Sequence, residues 1–135
     1  MVCIYCGGKT KVTNSRYQRR SNQVWRRRQC LACGALFTTH EALELESALS
    51  VNRHGRLEAF RPDLLLEELH RAMHNQKDAH TASKEVLATI VRKLLDLPQK
   101  PVFVPTDISK AAAEIIKRFD KSAYLRYVAD HPSLQ

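Results

Sequence analysis

The four cysteines of this 135-residue chain fall in two pairs near its N-terminus. The pairs are Cys3 with Cys6 and Cys30 with Cys33, and residues 7–29 separate them. Two CxxC pairs at about this separation are typical of a Zn²⁺ ion held tetrahedrally by four thiolates. A glycine, Gly7 or Gly34, follows each pair and lets the backbone turn tightly with its N–H groups facing the sulfur atoms. We therefore expect one zinc site made of all four cysteines.

Paired cysteines also form disulfides or act as redox thiols. A disulfide framework is typical of a secreted chain, and the N-terminal residues here do not resemble a secretory signal. A thioredoxin-like motif needs one CxxC at the start of a helix within a βαβ unit. Measured zinc content separates these alternatives, because a redox protein requires free, titratable thiols.

The segment that holds the cysteines is also strongly basic. The chain has a net charge of +8, with 22 Lys and Arg residues against 14 Asp and Glu residues. Residues 1–40 contain eight of the basic residues and no acid, so the remaining 14 basic residues balance the 14 acids of residues 41–135. The whole excess lies in the first forty residues. It predicts a polyanionic partner for that segment, either nucleic acid or an anionic membrane surface.

Arginines dominate this basic segment, and aromatic residues lie among them. Arginine binds phosphates or reads guanine edges, and Trp25 or Tyr17 can stack or pack beside it. Alternation along a strand places Arg26 and Arg28 on one side and Arg27 on the other. A solvated basic surface without a partner is the simpler interpretation, but no acid within residues 1–40 balances these charges. We therefore expect a polyanion to contact the arginines of this segment, which are Arg16, Arg19, Arg20, Arg26, Arg27 and Arg28.

Short strands must position these side chains. Residues 11–15 and 23–28 favour two strands joined by a polar stretch over residues 17–22, a pattern that predicts a zinc ribbon. A segment of this size buries too little apolar surface to fold alone. Metal binding is therefore expected to supply most of its folding free energy.

A second unit is predicted from about residue 47. Residues 48–52 and 57–60 favour a β-hairpin, in which Gly55 can adopt a positive φ. Four helices are predicted: residues 62–74, residues 83–97, one after a Thr106 cap and one from Asp120. The apolar positions of the third helix are Ile108, Ala112, Ile115, Ile116 and Phe119. The expected fold class is α+β, with a zinc ribbon in residues 1–46 and a hairpin plus helical bundle in residues 47–135.

The sequence offers little for catalysis or membrane insertion. It contains no nucleophile with a partnering base, no glycine-rich phosphate loop and no HExxH motif. Apolar runs are too short for a spanning helix, so we expect a cytoplasmic protein that is not an enzyme. His70 and His74 are four residues apart on a predicted helix, but without a third ligand nearby we expect them to be solvated.

Motifs in both units match one known family. The ribbon matches are Cys3, Cys6, Val12, Asn14-Ser15-Arg16, Arg26-Arg27-Arg28, Cys30, Cys33, Phe37-Thr38-Thr39 and Glu41. Looser matches follow at Val51, Arg53, Gly55, Phe60, Leu65 and within residues 119–127. Over nearly its full length the chain thus resembles the NrdR family of bacterial ribonucleotide reductase regulators, which join a zinc ribbon to an ATP-cone.

This resemblance implies a repressor that binds double-stranded DNA and is controlled by a nucleotide. The residues expected to contact the DNA are Arg16, Arg19, Arg20, Arg26, Arg27, Arg28, Thr38 and Thr39. ATP or dATP in the cone would set the state of a homo-oligomer that acts upstream of reductase genes, in the bacterial cytoplasm at the nucleoid. The alternative is a zinc-ribbon nucleic-acid binder whose cone serves only oligomerisation. The residues implied to bind the nucleotide are Val51, Arg53, His54, Gly55, Arg56, Phe60 and Leu65.

Two positions depart from the family pattern in the cone. Asn52 and Leu64 stand where the family usually has phosphate-facing lysines. Their loss removes charge-assisted hydrogen bonds worth roughly 1.5–3 kcal/mol each. Free N–H groups at the start of the helix after Phe60 and the cations Arg53 and Arg61 remain to receive phosphate. We therefore expect nucleotide affinity below that of the usual family cone.

Overall fold

A computed structural model describes residues 1–135 and divides them into two units, Met1–Leu43 and Glu44–Gln135. Antiparallel strands make up the first unit, and helices with a second small sheet make up the other. The α+β class expected from the sequence is confirmed. None of the helices is both long and apolar enough to cross a bilayer.

The first unit is a three-stranded antiparallel sheet in the order β1-β2-β3. Its strands are β1 (Thr10–Gln18), β2 (Gln23–Cys30) and β3 (Leu36–Ala42). The first two strands lie where the sequence predicted them, although β1 is longer at both ends. No strand was predicted over residues 36–42. The alternation there, with Phe37 and Thr39 half-buried between exposed neighbours, is a period-two pattern that indicates a strand.

The first unit has almost no hydrophobic core. Cys3 and Cys30 are its only fully buried residues, whereas every residue of β1 after Thr10 is exposed. Apolar burial therefore stabilises this sheet very little. This agrees with the expectation that a metal ion provides most of its folding free energy.

The second unit begins with a short helix, α1 (Leu45–Ala48), and the predicted hairpin of β4 (Ser50–Arg53) and β5 (Arg56–Ala59). Both residues of the connecting turn have positive φ, 53° at His54 and 86° at Gly55, which is the requirement of a type I′ turn. The Oδ1 atom of Asn52 accepts a hydrogen bond of 2.8 Å from the N–H of Gly55. Asn52 therefore helps to close this turn.

A third strand extends this sheet where only a break in the helices was expected. It is β6 (Val102–Phe103), which pairs in parallel with β4, so the strand order is β5-β4-β6. Phe103 is buried and belongs to the hydrophobic core. A strand of two residues is too short to show a period of two, and for that reason the sequence pattern did not reveal it.

Four longer helices follow the predicted order. They are α2 (Pro62–Ala72), α3 (Ala79–Asp96), α4 (Pro105–Phe119) and α5 (Lys121–Ala129), with a final 3₁₀ turn over Pro132–Leu134. The predicted start of α3 at residue 83 was wrong, because the Asp78 side chain caps the helix earlier by accepting from the N–H of Thr81. The Thr106 cap was also wrong. Pro105 occupies the first position of α4, which suits its missing N–H.

These helices and the β4–β5–β6 sheet share one hydrophobic core. In α3, Val86, Ile90 and Leu94 are buried in this core, and Leu87, Val91 and Leu95 are partly buried against it. In α4, Ala112 and Ile116 are buried as expected, but Phe119 is 48% exposed. Phe119 is the last residue of α4, where the chain turns into α5 and leaves its ring beyond the packed interface.

The start of α5 gives a stability prediction. The Asp120 carboxylate accepts from the N–H of Ala123 at 2.5 Å and from Nε2 of Gln76, in the loop after α2, at 2.6 Å. Asp120→Ala leaves both donors without this acceptor and is expected to lower the free energy of unfolding by about 1–2 kcal/mol. Urea unfolding followed by helical circular dichroism measures the loss. The control Asp120→Asn keeps an acceptor, so equal losses in the two variants would contradict this role.

Candidate metal centre and nucleic-acid interface

The four cysteine sulfur atoms converge at one end of the first sheet. All four lie within 4.8 Å of one another. The Sγ atoms of Cys3 and Cys33 are 3.8 Å apart, and those of Cys6 and Cys30 are 3.4 Å apart. Zinc–sulfur bonds of about 2.3 Å place the corners of a tetrahedron about 3.8 Å apart. The donor set therefore fits one Zn²⁺ ion.

Two matching backbone turns hold these sulfur atoms in place. The Cys3 carbonyl accepts from the N–H of Gly7 at 2.9 Å, and the Cys30 carbonyl accepts from the N–H of Gly34 at 3.2 Å. Both glycines have positive φ, 71° and 74°, in a region that residues with a Cβ rarely adopt. The glycine turns expected from the sequence are present in both pairs.

Backbone N–H groups and neighbouring thiols shift the pKa values of Cys30 and Cys6. The N–H groups of Ala32 and Cys33 donate to Cys30 Sγ, each at 3.4 Å. The Cys33 N–H lowers the pKa of the Cys30 thiol, against the opposing effect of burial, to about 6. The Gly8 backbone lowers the pKa of the Cys6 thiol, but hydrogen bonds to the thiols of Cys30 and Cys33 outweigh this effect and raise it to about 12. A bound cation is what allows all four sulfur atoms to be deprotonated together.

Strand register places the arginine triplet on both faces of the sheet, as alternation predicted. Arg26 lies opposite Thr39 on one face, and Arg27 lies opposite Thr38 on the other. Nη1 of Arg27 donates to Oγ1 of Thr38 at 3.1 Å. Nε of Arg28 donates to Oγ1 of Thr39, also at 3.1 Å. Both threonines expected at the DNA surface therefore orient an arginine.

The other arginines expected to contact DNA lie on β1 and in the turn after it. Arg16 is opposite Trp25 on the neighbouring strand. Arg19 and Arg20 are exposed in the β1–β2 turn, at the end of the hairpin away from the cysteines. The structure thus spreads the predicted contacts along the whole hairpin rather than gathering them in one cluster.

Sequence reasoning missed the role of Glu41, the only acid among residues 1–43. Its Oε2 atom accepts from Nη2 of Arg26 at 2.9 Å. The Nε atom of Arg26 is buried and has no partner. The ion pair between Arg26 and Glu41 depends on the register of β3. The alternating pattern of residues 36–42, which indicates a strand, is the sequence signal that could have predicted it.

Residues expected to bind a nucleotide divide into core positions and turn positions. The side chains of Val51, Phe60 and Leu65 are buried in the hydrophobic core of the second unit. The turn between β4 and β5 carries the polar members of the set, which are Arg53, His54, Gly55 and Arg56. The polar members therefore lie together at one end of the hairpin.

The cations near that turn are only partly available to a ligand. Nε of Arg53 donates to Oε2 of Glu58 at 3.1 Å, whereas Arg56 is exposed and makes no salt bridge. At the start of α2, the Asp63 carboxylate binds Arg61 through two hydrogen bonds of 2.9 and 2.5 Å. The Arg61 guanidinium in turn lowers the pKa of Asp63. A carboxylate thus stands at the helix start where free N–H groups had been expected.

The remaining histidines form no further metal site. Nδ1 of His74 lies 2.8 Å from the carbonyl oxygen of Arg71. The ring of His70 packs edge-on against that of His80, with 6.3 Å between their centroids. The four cysteines are the only group of three or more His, Cys, Asp or Glu side chains with atoms close enough to share an ion.

Zinc removal should affect one unit alone. We expect one zinc per chain by metal analysis, and Cys30→Ser should lose it and unfold residues 1–43. Fluorescence of Trp25, the only tryptophan, reports the first unit, while helical circular dichroism reports the second. Ala32→Ser changes a non-ligand in the same turn and should behave like the wild type. A protein purified without chelator that contains no metal would contradict the site.

Comparison with known proteins agrees with this architecture. Residues 1–41 match a family model described as the N-terminal domain of transcriptional repressor NrdR-like proteins. The transcriptional repressor NrdR of Thermus thermophilus is 35% identical over 130 residues, covering 96% of this chain and 82% of its own length. The NrdR repressors of Desulforapulum autotrophicum and Thermomicrobium roseum are 32% and 33% identical over 130 residues. Those matches again cover 96% of this chain, and 78% and 80% of theirs.

These relatives are named as repressors and not as enzymes, which confirms the non-enzymatic class expected from the sequence. The family model and the four converging cysteines together support a zinc ribbon at the N-terminus. With identity above 30% over almost the whole chain, this protein belongs to the NrdR family of zinc-ribbon transcriptional repressors.

Proposed function

We propose that this protein represses transcription by binding double-stranded DNA through its zinc ribbon, residues 1–46, and assembles as a homo-oligomer through residues 47–135. The charge of the ribbon carries this proposal. Residues 1–43 contain eight basic residues and one acid. A Zn²⁺ ion with four thiolates adds a charge of −2, which leaves the metal-loaded unit at about +5. Such a surface favours phosphate groups.

The proposed targets are the genes of ribonucleotide reductase, because the chain belongs to a family of regulators of that enzyme. The proposed place of action is the nucleoid in the bacterial cytoplasm. A repressor with two-fold symmetry binds inverted half-sites that are separated by a whole number of helical turns. We therefore expect paired half-sites of this kind upstream of the reductase genes.

We further propose that ATP or dATP binds over the β4–β5 turn and changes the oligomeric state. The positive φ of Gly55 supports a close approach of phosphate to the backbone, and Arg56 is free of carboxylate partners. The nucleotide affinity of this protein is expected to be lower than is usual in its family. Arg53 and Arg61 are already paired with acids, and Leu64 adds no charge.

A second candidate function keeps the DNA-binding ribbon but uses the other unit only for assembly. Two contacts favour it. Asn52, which stands where the family has a lysine, is engaged in closing its own turn, and Asp63 occupies the start of α2. Both contacts satisfy groups inside the chain that a triphosphate would otherwise use.

Specific DNA binding tests the repressor function. The zinc-loaded protein should bind the region upstream of ribonucleotide reductase genes about 10³-fold or more tightly than a shuffled duplex of equal composition. Fluorescence anisotropy at several salt concentrations should show affinity falling steeply as salt rises. Cys30→Ser should abolish binding, and Ala32→Ser should keep it. Equal affinity for both duplexes, or binding that ignores salt, would contradict the function.

Nucleotide binding is tested by restoring one missing cation. Leu64 is 47% exposed at the first turn of α2, so Leu64→Lys should fold normally and tighten ATP binding about tenfold, or about 1.4 kcal/mol. Calorimetry measures the affinity, and light scattering with ATP or dATP measures assembly. The control Leu125→Lys adds the same charge at another exposed leucine, on α5. If neither nucleotide binds or changes assembly in any of the three proteins, and light scattering still shows an oligomer, the assembly-only function is supported.

A further inference from the structure

We infer that the ribbon contacts DNA with only one face of its sheet. The three consecutive arginines 26–28 therefore have different roles, because they lie on opposite faces. Arg27 binds DNA, whereas Arg26 and Arg28 hold the sheet together from the other side. The inference rests on the proposed DNA-binding function and assigns that function to particular side chains. It differs from the expectation that all three arginines contact DNA.

The register of the three strands defines the binding face. Residues directly opposite each other in antiparallel strands point to the same side of the sheet. Arg16, Trp25 and His40 form one such row across β1, β2 and β3. The next row consists of Asn14, Arg27 and Thr38. With Lys11, these two rows make up what we call the cationic face.

The other side of the sheet, which we call the mixed face, has a different composition. Arg26 is paired there with Glu41, the single acid of the ribbon. Arg28 lies in a row with Val12 and Phe37, and its hydrogen bond to Thr39 is partly buried. In contrast, the bond between Arg27 and Thr38 is exposed.

Charge decides between the two faces. Lys11, Arg16 and Arg27 give the cationic face three positive charges and no acid. On the mixed face, Glu41 cancels one of two arginines and leaves a single positive charge. A phosphate backbone gains more from the first arrangement and meets a carboxylate in the second. Trp25, at the centre of the cationic face, adds a flat apolar surface for sugars or bases.

A β-bulge at Thr13 assembles the cationic face. The pairing between β1 and β2 shifts between Val12 and Asn14, so Thr13 has no partner opposite it. Its hydroxyl donates to the carbonyl oxygen of Arg27 at 3.2 Å. Lys11 and Arg16 are five positions apart, so strict alternation in a regular strand would place them on opposite faces, whereas the bulge brings them to the same one.

Matched arginine variants test the inference. The probe is a labelled duplex selected by the wild-type protein from a randomised pool, and the zinc-loaded full-length protein is titrated at several salt concentrations. Arg27→Ala is expected to weaken binding about fivefold or more. It should also reduce the log–log salt slope by about 0.9, the value of one lost phosphate contact, unless Arg27 reads a base and changes sequence preference instead. Arg28→Ala should change the affinity by less than about twofold and leave both the slope and the preference unchanged, because its role is structural.

A second pair of variants adds charge and avoids any loss of folding. His40→Lys adds a cation to the cationic face, and Glu41→Gln removes an acid from the mixed face while keeping an acceptor for Arg26. Both sites are exposed and adjacent on β3. We expect tighter binding and a steeper salt slope for His40→Lys and little change for Glu41→Gln. Zinc content and Trp25 fluorescence confirm that each variant is folded.

The possible outcomes distinguish a failure of this inference from a failure of the proposed DNA-binding function on which it rests. If the wild type binds no duplex, the proposed function and the inference both fail. If the wild type binds but Arg28→Ala has the same effect as Arg27→Ala, or Glu41→Gln tightens binding as much as His40→Lys, only the face assignment fails.

Discussion

Bonding between four thiolates and one metal ion is the interaction on which the N-terminal unit depends. Among residues 1–43 only Cys3 and Cys30 are fully buried, so hydrophobic burial cannot order the three strands. Zinc binding to comparable peptides supplies about 10–16 kcal/mol, enough to fold a sheet with no core of its own. The same bonding allows eight basic side chains to be carried by one small unit despite their mutual repulsion. Stability and polyanion binding are therefore assigned to different atoms of the same ribbon.

The second unit has the opposite physical basis. Its helices and its small sheet share a continuous hydrophobic core, so its fold needs no ligand. Its polar groups at the β4–β5 turn and at the start of α2 are largely satisfied from within, by Asn52 and by the Arg61–Asp63 pair. An anion bound by Arg53 or Arg61 must compete with Glu58 or Asp63, which lowers its net affinity.

Several features follow from the sequence because their causes are local. Cysteine spacing and the two glycines after the CxxC pairs were sufficient to predict the metal centre, since each turn involves only a few consecutive residues. Apolar periodicity was sufficient for α2, α3 and α4, because a helix repeats within its own segment. The concentration of positive charge before residue 41 is a property of composition alone.

Other features were decided only by contacts between distant segments. The strand β6 exists because β4, about fifty residues earlier in the chain, pairs with it. The partner of Arg26 and the face that carries Arg27 depend on strand register and on the bulge at Thr13. A shift of one residue in register exchanges the two faces of a strand. The sequence by itself thus determined the metal, the charge and the helices, whereas the tertiary structure decided which arginines share a face.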